Sequence, residues 1–152
     1  MTGAGRPRVL TGLDILEREG FARLRGRRTG LLVHPASVNR ELRHASHLAH
    51  RGLGSDLRAF LGPQHGIRGE TQDNMIEWEG FRDPTTGVPV HSLYGRERKP
   101  TPAMLGDIDV LVVDLQDVGA RYYTFIWTLL LCMEACAEEG KDVLVLDRPN
   151  PI

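Results

Sequence analysis

Residues 108–116 read IDVLVVDLQ. A continuous run of β-branched and apolar residues closed by an acid is the pattern of a strand buried on both faces. A half-exposed antiparallel strand would alternate instead. KDVLVLDRPN (141–150) repeats the pattern of apolar run and then Asp. GLLVHP (30–35) and DLRAFL (56–61) supply two more runs of strand length, and GVPVHSLYG (87–95) alternates as a strand does.

Between these runs the pattern turns helical. In 11–28, Leu13, Ile15, Leu16, Phe21 and Leu24 are apolar with a break near Gly20. Asp14 comes early and Arg25, Arg27 and Arg28 come late, the order a helix dipole favours, so one broken or two short helices are expected. A helix over 40–53 would place Leu42, Ala45, Ala49 and Leu53 on one side. Thr101 and Pro102 open a short helix, and YYTFIWTLLLCMEACAEEG (122–140) holds a long one. Strands alternating with helices imply parallel βαβ units, an α/β sheet with helices on both faces. The sequence stops at RPNPI, just past a strand, and reads as the N-terminal piece of something longer, truncated at its C-terminal side.

At 152 residues the chain is long enough for one domain with a sizeable core. A net charge of −1 argues against a general nucleic-acid binder. Nearly all its cations are Arg; Lys99 and Lys141 are the only lysines, a bias that GC-rich coding explains. The N-terminus lacks the apolar core of a secretory signal, so the chain as given reads as cytoplasmic. An upstream signal cleaved before Met1 would make it secreted. The long apolar stretch is interrupted by Glu134, Glu138 and Glu139, which suits a buried helix and not a membrane span. Cys132 and Cys136 lie four apart on that helix, a poor disulfide geometry, and read as buried small hydrophobes.

In parallel sheets, ligands bind beyond the carboxyl ends of the strands. That rule gathers His34, the loop 62–70, residues 114–121 and residues 147–150, where the polar residues of the chain accumulate. The loop LGPQHGIRGE (61–70) is the densest, since a Gly-Pro turn presents Gln64, His65, Arg68 and Glu70 from a loop and not from a core. In DLQDVGARYY (114–123), Asp114, Asp117 and Arg121 suit a polar cluster; equally, Asp117 suits a helix cap pairing with Arg121 one turn on. Tyr122 and Tyr123 suit stacking on a sugar or wedging helix against sheet, with one of the two facing a cleft. Asp147 and Asn150 of DRPN suit ligand binding or local turn bonds. No G-x-G-x-x-G follows GLLVHP and no Walker loop is present, which argues against nucleotide binding. His44, His47 and His50 are spaced three apart, rotate around a helix without converging, and read as solvated. No metal and no cofactor is expected.

The motifs LGPQHGIRGE, DPTTGVPVHSLYGRERKPTPAML, IDVLVVDLQDVGARYYT and VLVLDRPNPI, in order from about Thr11 onward, resemble the DUF1343 family, which includes NamZ-type exo-β-N-acetylmuramidases of bacterial cell-wall recycling. The resemblance implies a Rossmann-like N-terminal domain bearing the catalytic cleft, of which residues 1–152 would be the N-terminal part, with part of the cleft and the whole C-terminal auxiliary domain absent from this chain. It implies hydrolysis of terminal, non-reducing N-acetylmuramic acid from peptidoglycan fragments, so the partner would be a peptidoglycan-derived sugar or muropeptide. The loop 62–69, the segment 114–123 with Gln116, and the turn 147–151 with Arg148 carry over as site regions.

One departure bears on chemistry: the family's loop usually reads G-P-E-H-G, and here Gln64 stands in the glutamate's place. A carboxamide cannot donate a proton at neutral pH. Glu70, Asp114 or Asp117 would then supply an acid while the sugar's 2-acetamido group served as internal nucleophile. His65 and Arg68 would orient substrate, and Arg68 and Arg121 are the cations for its lactyl carboxylate. Two further readings are a non-catalytic muropeptide-binding remnant and an inactive truncated product with exposed apolar surface.

Overall fold

The structure, a computed structural model, describes residues 9–69 and 76–152. Among these, six strands form one sheet in the order β3-β4-β2-β1-β5-β6. The strands are β1 (Thr29–Val33), β2 (Leu57–Gly62), β3 (Phe81–Arg82), β4 (Pro89–Ser92), β5 (Val110–Asp114) and β6 (Asp142–Val145). All neighbouring pairs run parallel except β3 with β4. The expected α/β architecture with a mostly parallel sheet is therefore present, and IDVLVVDLQ supplies a central strand buried at every position from 110 to 114.

The period of two sorts the core. Leu31, Val33, Val110 and Val112 face one layer with Phe60 and Val90; Leu32, Leu111 and Val113 face the other with Leu61. Helices α1 (Gly12–Arg18) and α2 (Ala45–Leu53) cover the first layer through Leu13, Leu16, Leu48, Ala49 and Leu53. Helices α3 (Pro102–Leu105) and α4 (Phe125–Glu138) cover the second through Leu105, Cys132, Ala135 and Cys136. Each buried Leu or Phe contributes about 1.5–3 kcal/mol, so these two layers account for most of the favourable term. Both thiols are free and buried; burial pushes them up, Cys132 to about 12, so neither is a nucleophile. Edge strand β6 leaves Val145 exposed, and α4 turns Ile126, Trp127, Leu130 and Met133 to solvent beside it. No helix among the described residues is long and apolar enough to cross a membrane.

Local signals set the helix starts. Thr11 caps α1 in a reciprocal box, its hydroxyl accepting from the Asp14 N–H while the Asp14 carboxylate accepts from the Thr11 N–H. The 11–28 segment then breaks, as expected, into α1 and a 3-10 turn at Ala22–Leu24. Gly12 is required at its position because a Cβ there would lie 2.6 Å from the Leu146 Cα, where α1 docks on the end of β6. Thr101 caps α3 with Pro102 at its first position.

Three expectations need correction. The second helix begins at Ala45 and not at 40, because Asn39 accepts the N–H groups of Glu41 and Arg43 and holds a turn, with Leu42 left-handed (φ 59°) and 80% exposed. His44 is not solvated: it caps α2, its Nδ1 accepting from the Ser46 N–H and its Nε2 donating to the His34 carbonyl at 3.0 Å. Asp117 does not cap α4, which begins eight residues later at Phe125; it accepts from the Gly119 N–H in a local turn. β3 escaped the sequence reading because two residues carry no period.

Candidate active site

The chain leaves β1 toward β2 on one side, while β5 leads to β6 on the other. The sheet therefore reverses its winding between β1 and β5, and a crevice opens beyond their carboxyl ends. Register places Val33 beside Asp114, so His34 and Leu115 begin the two banks.

The loop after β2 forms one wall. Gly62 admits no side chain, since a Cβ would meet the Trp78 ring at 2.8 Å and Ile67 at 2.9 Å. The Trp78 indole N–H donates to the Pro63 carbonyl at 3.2 Å, and the Gly66 N–H closes a turn onto the same oxygen. Within that turn His65 is left-handed (φ 71°), a strained backbone for a residue with a Cβ, followed by Gly66 and Gly69 at positive φ. Such strain persists only where the surroundings over-determine it, and it gathers at functional sites.

Across from this wall stand residues 122–125. Gln64, His65, Tyr122, Tyr123, Thr124 and Phe125 line one cleft of about 420 Å³, within the size range of small-molecule sites. Both tyrosines line it, not one, and Tyr122 is 88% exposed. Phe125 packs on His34 with ring centroids 4.7 Å apart and meets the Tyr123 ring edge-on. Burial, with Arg148 and His44 nearby, brings His34 down to about 4, so its imidazole is neutral at physiological pH. Its Nε2 lies 3.4 Å from the Gln116 N–H.

Two ion pairs have fully buried carboxylates. Asp114 is fully buried and receives Arg148 at both oxygens, and the same guanidinium donates to the Val38 carbonyl at 2.9 Å. Burial pushes Asp114 above the usual carboxylate range against the pull of Arg148. Arg68 donates to Asp83, also fully buried, and to the Ser46 hydroxyl at 3.3 Å. Burial would raise Asp83, but the hydrogen bonds from Arg68 and Thr86 overcome it and hold the group at about 2.

The remaining expected residues take other places. Gln116 donates to the Pro149 carbonyl at 2.6 Å and Asn150 to Asp117 at 3.5 Å, so the 116–119 turn is laced to the 149–152 tail. Arg121 and Asp147 are exposed, and the Asp147 carbonyl accepts the Gly12 N–H. Glu70 lies outside the described residues. Sequence reasoning missed Thr124 and Phe125 as lining residues and Asp83 as the partner of Arg68. Proximity to the tyrosines was a usable signal for the first two; DPTTG announced a turn but not a buried carboxylate. Among the described residues no three His, Cys, Asp or Glu side chains gather as a metal site would.

Comparison with known proteins agrees with this architecture. Residues 29–152 match the family described as exo-beta-N-acetylmuramidase NamZ, N-terminal. The chain is 45% identical over 148 residues to the peptidoglycan beta-N-acetylmuramidase NamZ of Bacillus subtilis (strain 168), covering 97% of this chain and 36% of that one. Two crystal structures of DUF1343 family proteins from Bacteroides fragilis NCTC 9343 superpose with TM-scores of 0.83 and 0.74, at 46% and 33% identity. Each alignment covers 95% of this chain and 36% of the other, so the chain spans about a third of the length of these relatives. On this match, and with the strands and strand-end loops in the order described above, the chain belongs to the NamZ N-terminal family of DUF1343 proteins.

Proposed function

We propose that the cleft between the 62–69 loop and residues 122–125 is the site of an exo-β-N-acetylmuramidase-like glycoside hydrolase, one that removes terminal, non-reducing N-acetylmuramic acid from peptidoglycan fragments in cell-wall turnover. The observation that carries this reading is the cleft itself: a carboxamide and an imidazole on a strained loop face an aromatic wall, in a chain similar to NamZ. Tyr122 and Tyr123 offer flat apolar faces for a sugar ring with hydroxyls at their edges. His65 and Gln64 offer hydrogen bonds to its polar substituents. Arg121, exposed beside the tyrosines, is the cation for the lactyl carboxylate; Arg68 is engaged by Asp83 and Ser46.

Gln64 limits the chemistry. Departure of the glycosidic oxygen needs a proton, and the amide has none to give at neutral pH. The reading therefore predicts slow turnover by this chain and a gain of about 10²- to 10⁴-fold for Gln64→Glu, measured as sugar release from a chromogenic β-N-acetylmuraminide. A folded Gln64→Glu protein with no gain would remove position 64 from the acid's role.

A second reading has its own support. None of the described residues lining the cleft carries a carboxylate, which suits a muropeptide-binding domain without turnover. Calorimetry with N-acetylmuramic acid separates the two: binding unaccompanied by hydrolysis, before and after Gln64→Glu, favours the binding domain.

A further inference from the structure

We propose that Asp83 is a positioning residue of this site: acting through Arg68, it holds the 62–69 loop in the one conformation that turns Gln64 and His65 toward the cleft. The significance of that role rests on the reading of the cleft given above; the contact geometry does not.

The loop carries backbone strain. His65, Gly66 and Gly69 all have positive φ, and the His65 backbone is strained by its own Cβ. Among the described residues, two anchors hold the loop from opposite ends. Before Gln64, the Trp78 indole N–H grips the Pro63 carbonyl and its ring fills the space over Gly62. After His65, Ile67 is fully buried and Arg68 turns its guanidinium inward to Asp83. Gln64 and His65 sit between the anchors.

Asp83 is well made for this task. Its side chain is wholly buried and is itself held by the Thr86 hydroxyl at 2.6 Å and the Thr86 N–H at 3.0 Å. Its backbone is clasped as well, the Asp83 N–H donating to the Val88 carbonyl and its carbonyl accepting from Gly87. The carboxylate is thus fixed to the β3–β4 hairpin, at the sheet edge, and not to the loop it holds. From Arg68 the network continues through the Ser46 hydroxyl to His44, whose Nε2 donates to the His34 carbonyl at the end of β1. His34 in turn supports Phe125 on the opposite wall. One chain of contacts therefore runs from the β3–β4 hairpin to Phe125 in the cleft lining, and a charge at Asp83 sets its first link. The acid is held at about 2, so it stays ionised wherever the protein is studied near neutrality.

The test is amide hydrogen exchange on the 152-residue chain and its Asp83→Asn variant, read separately for the 62–69 loop and for β1 and β5, with calorimetric titration of N-acetylmuramic acid alongside. Asp83→Asn keeps the shape and removes the charge. The expected result is loop exchange at least about tenfold faster with β1 and β5 unchanged, and sugar affinity at least about fivefold weaker. Arg68→Lys, which retains a cation beside Asp83, should keep most of the loop protection. Equal loop exchange in both proteins overturns the proposal, as does acceleration spread evenly through the strands, the mark of a merely global effect. Unchanged affinity despite a loosened loop also overturns it. If the unmutated chain binds no sugar, the muramidase reading fails and the exchange data alone decide the role of Asp83. Should Asp83→Asn not fold, Thr86→Val leaves the charge and removes one donor to it. A smaller acceleration confined to the same loop then supports the proposal, and none overturns it.

Discussion

Asp83 and Asp114 are both fully buried carboxylates, each facing one arginine, and their pKa values move in opposite directions. Around Asp83 three kinds of donor converge: a guanidinium, a hydroxyl and a backbone N–H. Asp114 has the guanidinium alone and sits deeper, at the end of the central strand β5. Burial disfavours the charged form at both sites; at the deeper Asp114 it outweighs the bonds from Arg148, and at Asp83 the bonds from Arg68 and Thr86 outweigh it. The contrast shows that an ion pair does not by itself settle a buried acid's protonation. It also separates two tasks: Asp83 anchors a loop to the sheet edge, whereas Asp114 anchors the 147–151 tail to the sheet centre through Arg148.

The largest predicted effect comes from stranding the deeper acid. Arg148→Met should lower unfolding stability by about 3–5 kcal/mol, since it leaves Asp114 buried without a partner. Urea denaturation would read this directly, and a loss below about 1 kcal/mol would mean that Asp114 finds water or another donor. Asp114→Asn combined with Arg148→Met should recover part of the loss, because no charge is then left buried.

The acid limb of stability tests the contrast at intermediate scale. Asp83 lies at about 2 in the folded chain against an ordinary 3.8. A depressed acid contributes above its unfolded value, and that contribution, roughly 2 kcal/mol, is lost as pH falls from about 4 through about 2. Asp114, raised, has the opposite sign: the folded chain holds its proton more tightly, so its contribution falls as pH rises from about 4 through its own elevated value. Urea midpoints measured across the acid range should therefore drop below pH 4 in the parent chain. Asp83→Asn should make that drop smaller, since Asp109 is also held low, and Asp114→Asn should leave it while abolishing the gain on acidification just above pH 4. Identical profiles for the two variants would erase the distinction between the sites.

The smallest effect is the most local. Thr86→Val removes one hydroxyl donor to Asp83 without touching its charge. It should destabilise by about 1 kcal/mol and shift the acid limb slightly upward in pH. A neutral result would assign the depression of Asp83 to Arg68 and the backbone alone.

Much of this fold was legible before any coordinates. IDVLVVDLQ, KDVLVLDRPN, DLRAFL and GLLVHP are all strands of the parallel sheet, because an apolar run of strand length bounded by turn residues has few other solutions. Thr101-Pro102 opened a helix where it should, since a cap acts on its own first turn. Errors clustered where a local choice competed with periodicity. Leu42 matched the helical stripe, but its backbone is left-handed (φ 59°), and the Asn39 side chain ties the N–H groups of Glu41 and Arg43 into a turn. Asp117 stood at a plausible cap, but Gly119 with φ at 70° turned the chain and delayed α4 until Phe125.

What the sequence determined by itself was the class of the molecule and the place of its cleft. Apolar runs of strand length favour burial in a sheet, and the winding of parallel strands brings their carboxyl ends to one side. Which arginine meets which acid was decided only in three dimensions. Arg68 lies 15 residues from Asp83, and Arg148 lies 34 from Asp114; nothing in the spacing distinguishes these partners from the exposed Arg121 or Asp117. A hydrogen bond depends on ångström distances and on exclusion of water, and both arise only when the sheet, the loops and the helices close together.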